Sequence, residues 1–120
     1  MADVTPVMYG IRNCDTIKKA RAWLEQHAIP YQFHDYKKLG VEREQLTAWV
    51  AELGWEQLIN KRGTSWRKLD EHQRSIMNDS LAVNAMLDNP SIIRRPLLVI
   101  GERKIIGFKE DSYVQEILPQ

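Results

Sequence analysis

Followed as a pattern of apolar and polar positions, the chain opens on Val7, Met8 and Tyr9, a short uncharged run that Gly10 interrupts. Such a run predicts a buried strand. From Thr16 to His27 the period changes: Ile17, Ala20 and Leu24 share one side of a helix, while Lys18, Lys19, Arg21 and Glu25 fall outside it. Pro30 ends that helix and introduces an aromatic-rich strand over Tyr31 to Tyr36. Leu46, Trp49, Val50 and Leu53 then recur at i, i+3, i+4 and i+7, with Gly54 where a C-terminal cap belongs. Asp70 followed by Gln73 predicts a capping box, and Asp79 or Ser80 is the expected cap of a further helix running to about Leu87.

Pro90 and Pro96 bracket Ser91 to Arg95. Beyond them, Leu97 to Ile100, a turn at Gly101 and Glu102, and Lys104 to Phe108 predict a β-hairpin. Ser112 with Gln115 is the expected opening of a last helix carrying Val114, Ile117 and Leu118. Strand, helix, strand, a helical middle, then hairpin and helix is the order of an α/β domain of thioredoxin-like (glutaredoxin-like) type. Its mixed four-stranded sheet would have helices on both faces and a helical insertion between the βαβ and ββα halves. A plain α+β sandwich is the alternative.

With 120 residues, the chain is expected to form one domain over 1–120. Hydrophobic residues at 43% and charged residues at 28% exclude a disordered chain. Lys and Arg number 17 against 16 Asp and Glu, a net charge of +1. That is too small a surplus to mark a nucleic-acid or membrane partner, so the interleaved Lys61, Arg62, Trp66, Arg67 and Lys68 are not taken as a nucleic-acid surface. The apolar run Leu97 to Ile100 is far shorter than the ~20 residues that span a bilayer, and the first residues carry no basic region of a signal peptide. A cytoplasmic monomer is expected. The single Cys excludes an internal disulfide, and the three His, at 27, 34 and 72, have no metal-ligand spacing. Trp23, Trp49 and Trp55, with Met77 and Met86, are expected to pack.

Candidate chemistry centres on Cys14, between the first strand and the first helix. Unpaired N–H groups at a helix start favour a thiolate over a thiol, and Arg12 adds positive charge. Asp15 opposes it, or caps the helix; Thr16 is placed to donate a hydrogen bond to the sulfur or to cap. A phosphatase loop of the Cys-x5-Arg type is excluded because position 20 is Ala20. A lone Cys cannot resolve its own mixed disulfide, so an external thiol must complete any turnover, glutathione or a glutaredoxin being the economical candidates.

The run Tyr9 to Ala20, the strand Phe33-His34-Asp35-Tyr36, the segment Gly63-Thr64-Ser65-Trp66-Arg67-Lys68-Leu69, and Arg94-Arg95-Pro96-Leu97 followed by Gly107-Phe108 give the chain a likeness. Together they resemble the arsenate reductase (ArsC) and Spx family, in particular its YffB-like branch. The resemblance implies a thioredoxin-like core over about 4–36 and 91–118 with a helical insert over about 41–90. It implies that Cys14 is the nucleophile, attacking arsenate or a glutathione mixed disulfide, with glutathione as co-substrate, glutaredoxin as recycling partner and no tightly bound cofactor or metal. It assigns Arg95 and Arg62 to the anion, with Arg12 beside them, and makes Pro96 a cis-proline at the site. This chain departs from the reductases: Gly10-Ile11-Arg12 stands for His-Asn-Pro, and a third family arginine falls at Gly107-Phe108. Spx-like regulators, which contact RNA polymerase without catalysis, are the alternative, but the second Cys of their switch is Ile17 here.

Overall fold

The computed structural model describes residues 4–118. Its described residues divide into two compact units, one of residues 4–35 and 95–118, the other of residues 36–94.

The first unit is a four-stranded sheet with two helices. Strand β1 (Val7–Gly10) leads to helix α1 (Asp15–Gln26), then to β2 (Gln32–Asp35). The expected second strand is one residue too long at its end: Tyr36 leaves the sheet and starts a helix, its carbonyl accepting from the Gly40 amide at 2.8 Å. After the second unit come β3 (Leu97–Ile100), β4 (Arg103–Ile106) and helix α8 (Glu110–Ile117). The sheet order is β2-β1-β3-β4, with β2 parallel to β1, β3 antiparallel to β1 and β4 antiparallel to β3. This is the mixed sheet of a thioredoxin-like fold, which excludes the plain sandwich.

Met8, Leu98, Ile17, Ala20, Trp23, Leu24 and Tyr113 form the buried core of this unit. Tyr113 packs edge-on against Trp23, with centroids 5.3 Å apart, and against Phe108 at 4.7 Å. The last helix therefore departs from expectation. It begins at Glu110 after Lys109, without a Ser112 cap, and turns Tyr113 inward while Val114 stays 43% exposed. Tyr113 and Ile117 lie one turn apart on the same face, and the larger aromatic payload decides which face is buried.

The second unit contains α2 (Tyr36–Leu39), α3 (Arg43–Leu53), α4 (Trp55–Leu58), α5 (Thr64–Arg67), α6 (Glu71–Ser75), α7 (Asp79–Asp88) and a 3₁₀ turn (Pro90–Ile92). Leu46, Trp49, Val50, Leu58, Ile59, Val83 and Met86 are buried, so the periodic apolar face predicted for α3 is the buried one. Gly54 ends α3 and opens α4 at φ 87, a left-handed value that glycine adopts without a Cβ clash. The capping box of Asp70 and Gln73 is complete. The cap of α7 is Asn78, one residue before the expected Asp79 or Ser80, because its Oδ1 accepts from the Leu81 amide at 2.9 Å. Among the described residues no helix is long and apolar enough to cross a membrane.

Candidate functional site

The site is built at the end of β1. Gly10 is its first requirement: a Cβ there would collide with the end of the buried Ile17 side chain, so a larger residue would force Ile17 to shift in the core. Ile11 to Asn13 then make a short loop. Its end is tied by the Cys14 amide, which donates to the Arg12 carbonyl at 3.0 Å.

Cys14 is the N-cap residue of α1, with extended backbone (φ −143, ψ 124) and its own carbonyl accepting from Lys18 N at 3.0 Å. Asn, Asp and Ser dominate this position because their oxygen accepts from an amide of the first turn. The Cys14 side chain makes no such bond, and Asp15 lies inside the first turn instead of capping it. Half-buried Thr16 makes no hydrogen bond to the sulfur among the described residues. The thiol therefore stands half-buried at a helix start whose leading N–H groups lack intrahelical partners.

The sheet register brings the second element to the same end. Tyr9 pairs with Leu97, so the Arg95-Pro96 peptide lies beyond the last pair, level with the start of the Cys14 loop. That peptide is cis, and the Pro96 carbonyl accepts from the Gly107 amide at 2.8 Å. Pro96 is buried and Arg95 half-buried.

Arg12 carries its Nε to 3.5 Å from Asp35 Oδ2. Asp35 is a buried carboxylate at the end of β2, level with Gly10, so the pair ties the Cys14 loop to the edge strand. The Arg12 guanidinium also lies 5.5 Å from the centre of the Phe33 ring. Cys14, Arg12, Thr16, Arg95 and Pro96 thus belong to the sheet unit. Arg62 belongs to the helical unit, exposed in a tight turn in which its amide donates to Asn60 Oδ1 at 3.2 Å. No group of three or more His, Cys, Asp or Glu side chains is arranged to hold a metal among the described residues.

Sequence reasoning missed Asp35 and the aromatic edge of β2. The signal was present: Tyr31 and Phe33 are two residues apart in an extended segment, which puts both rings on one face. Arg21, taken only as part of the outer side of α1, stacks there, 4.3 Å from the Phe33 centroid.

Residues 9–115 match the model of the ArsC family. An uncharacterized protein of Haemophilus influenzae is 41% identical over 106 residues, covering 88% of this chain and 93% of its own. The global transcriptional regulator Spx of Streptococcus mutans is 33% identical over 110 residues, 90% of this chain and 79% of its own. Among solved structures, the YffB protein is 50% identical with a TM-score of 0.88, over 92% of this chain and 97% of that one. An arsenate reductase (ArsC) related protein from Brucella melitensis is 43% identical with a TM-score of 0.81, over 99% of both chains. A family match across nearly the whole length, with a mixed sheet, a cysteine at the first helix start and a cis-proline opposite the end of β1, has one outcome: the chain belongs to the ArsC family.

Proposed function

We propose that the protein is a thiol-dependent oxidoreductase in which Cys14 is the nucleophile and glutathione the co-substrate. One observation carries the reading: the Cys14 sulfur takes the N-cap position of α1 yet is committed to no cap hydrogen bond. A mixed disulfide of glutathione is the favoured substrate. The Cys14 thiolate attacks it, one S–S bond forms as another breaks, and the freed thiol leaves with the electron pair. A second glutathione thiolate then attacks the Cys14 mixed disulfide, releasing glutathione disulfide and restoring the thiolate; a glutaredoxin can perform the same resolution. Arg95 and Arg62 are assigned to the anionic partner, Arg12 to the Cys14 loop and its anion, and the Arg95-Pro96 peptide to receiving the extended thiol ligand.

Arsenate is the less favoured substrate, because Gly107 and Phe108 stand where a further arginine would meet an oxyanion. Removing one such donor costs about 10² to 10³ in rate. The test incubates wild type and Cys14→Ser with glutathione disulfide and with a glutathionylated peptide. Wild type is expected to gain the mass of one glutathionyl group and to deglutathionylate the peptide when glutathione is supplied, and Cys14→Ser to do neither. A wild-type sulfur that forms no adduct and resists iodoacetamide overturns the proposal.

The second reading is a regulator, favoured by the 33% identity to Spx. Ile17, at the place of the second Cys of that switch, is fully buried in the core. Regulation here would therefore proceed without an intrachain disulfide. Capture of RNA polymerase by the wild-type chain, with no turnover of any disulfide, would move the assignment to this reading.

A further inference from the structure

The helical unit holds an open cavity that the thiol chemistry does not use. It measures about 320 Å³ and lies among α5, α6, α7 and the 3₁₀ turn, all within residues 36–94. Its walls are largely apolar: Leu69, Ile76, Met77, Leu81 and Ile92. Ile92 is buried, whereas Ile76 and Leu81 stay 48% and 36% exposed, large apolar side chains that line a gap instead of closing it. The gap follows from the way α6 is held. That helix buries no residue; the capping box fixes its start, and Arg74 donates to the carbonyls of Arg67 and Leu69. Polar bonds therefore set its place beside α7, and apolar contact does not draw the two together. A volume near 300 Å³ is the lower end of the range for small-molecule sites.

The charge at this cavity has one sign. Asp88 is the one charged residue lining it among the described residues, and it is the last residue of α7. The final carbonyls of a helix carry partial negative charge, so a cation is the favoured neighbour there and a carboxylate the disfavoured one. No basic residue lies in that turn, and the Asp88 carboxylate makes no ion pair or hydrogen bond among the described residues. Two cations of the surrounding helices are engaged elsewhere: Arg74 on the carbonyls just named, and Arg43 on Asn84 Oδ1 at 2.9 Å. Leu81, Ala85 and Asp88 recur at i, i+4 and i+7, so they share a face of α7, with Asp88 about 10 Å along the axis from Leu81. The cavity thus has an apolar end and an uncompensated negative end.

We propose that this cavity is a binding site for a small amphiphilic ammonium ion, with its apolar body between α6 and α7 and its N–H donors on the Asp88 carboxylate. The apolar walls gain by losing contact with water, and the ammonium supplies the positive charge that the end of α7 lacks. Gln73 and Asn84, also on the lining, are neutral amides and cannot choose between charges. Asp88 does, because it attracts an ammonium and repels a carboxylate. Occupancy would give α6 the apolar contact with α7 that it lacks in the empty protein.

The experiment titrates n-hexylammonium into the full chain carrying ¹³C-methyl methionine, at constant ionic strength, with n-hexanol and n-hexanoate as the neutral and anionic counterparts. Met77 lines the cavity and Met8 is fully buried in the sheet core, so one methyl reports and the other controls. Hexylammonium is expected to shift the Met77 methyl saturably, to leave Met8 in place, and to bind about tenfold more tightly than hexanol, the gain of one charge-assisted hydrogen bond. Hexanoate is expected to bind more weakly than hexanol. In Asp88→Asn the affinity for hexylammonium is expected to fall to that for hexanol, which stays unchanged. Ala85→Leu fills the cavity from the α7 side and is expected to abolish both shifts, with Met8 at its wild-type position as evidence of folding. A Met77 methyl that hexylammonium does not saturate, hexanoate binding as tight as that of hexylammonium, an unmoved affinity in Asp88→Asn, or full binding in folded Ala85→Leu overturns the inference. None of these outcomes touches the chemistry of Cys14.

Discussion

Helix α1 of the sheet unit and helix α6 of the helical unit are held by different means, while α3, uncapped with Leu46, Trp49 and Val50 buried, follows the pattern of α1. In the sheet unit, α1 starts at Cys14 and α8 at Lys109, and neither side chain caps its helix. Burial does the work there: α1 places Ile17, Ala20, Trp23 and Leu24 in the core, and α8 places Tyr113. In the helical unit, α6 buries no residue and is held by the Asp70 and Gln73 capping box, while Asn78 caps α7 and Asn89 caps the following turn. A helix anchored along its side need not spend its first residue on its own amides. That leaves the start of α1 chemically uncommitted, which is what a nucleophile at that position needs.

The largest effect expected from this difference is at Leu24, fully buried on α1. Truncation of such a leucine costs about 2 to 5 kcal/mol through lost transfer energy and the cavity left behind. Leu24→Ala is expected to lower the unfolding free energy by that amount, read as a fall in the urea midpoint at an unchanged slope. A loss below about 1 kcal/mol, the scale of a single cap, would mean that burial does not hold α1 after all.

A second expectation concerns the other helix of the sheet unit and is read from pH. Tyr113 is fully buried and its hydroxyl has no hydrogen-bond partner among the described residues. Burial pushes its phenol well above the usual tyrosine value of 10.0. The folded state therefore keeps the proton where the unfolded state releases it. Stability is unaffected below pH 10 and falls above it by about 1.4 kcal/mol per pH unit until the folded phenol ionises. In Tyr113→Phe this term disappears, so the difference in stability between variant and wild type should widen in the variant's favour as pH rises above 10. A constant difference across that range would show that the phenol is not held neutral. Tyr31, whose phenol is also raised by burial, is present in both proteins and cancels.

Much of this architecture was legible in the chain because local rules and tertiary packing agree. Val7 to Gly10, the α1 stripe, the Gly54 stop and the Asp70 box each carry their signal within a few residues. Where the readings slipped, two acceptable local solutions competed. Asn78, Asp79 and Ser80 are all good caps, and only the Leu81 amide decides among them. Tyr113 and Val114 are adjacent apolar residues, and the choice of inward face is made by Phe108, just before the helix, and by Trp23, distant in sequence. The position of Cys14 was legible for the same reason as α1. The Arg12–Asp35 pair and the contact of Arg21 with Phe33 were not, since a strand end, an aromatic and a helix surface meet only once β2 is parallel to β1.

The smallest effects separate the two kinds of helix start most directly, because the same type of position is changed in opposite directions. Asp70→Ala removes an oxygen that accepts from the Gln73 amide at 2.7 Å, and is expected to destabilise by about 1 kcal/mol. Cys14→Ser does the reverse. It offers the first turn of α1 an oxygen of the kind preferred at an N-cap, where the sulfur makes no such bond. The variant is expected to lose thiol chemistry and to gain a few tenths to about 1 kcal/mol in stability. Paired denaturant titrations of the two variants measure both signs. If Cys14→Ser is instead less stable than wild type, the sulfur is an element of the core packing that serine cannot replace, and the start of α1 is committed to structure in the same way as the start of α6.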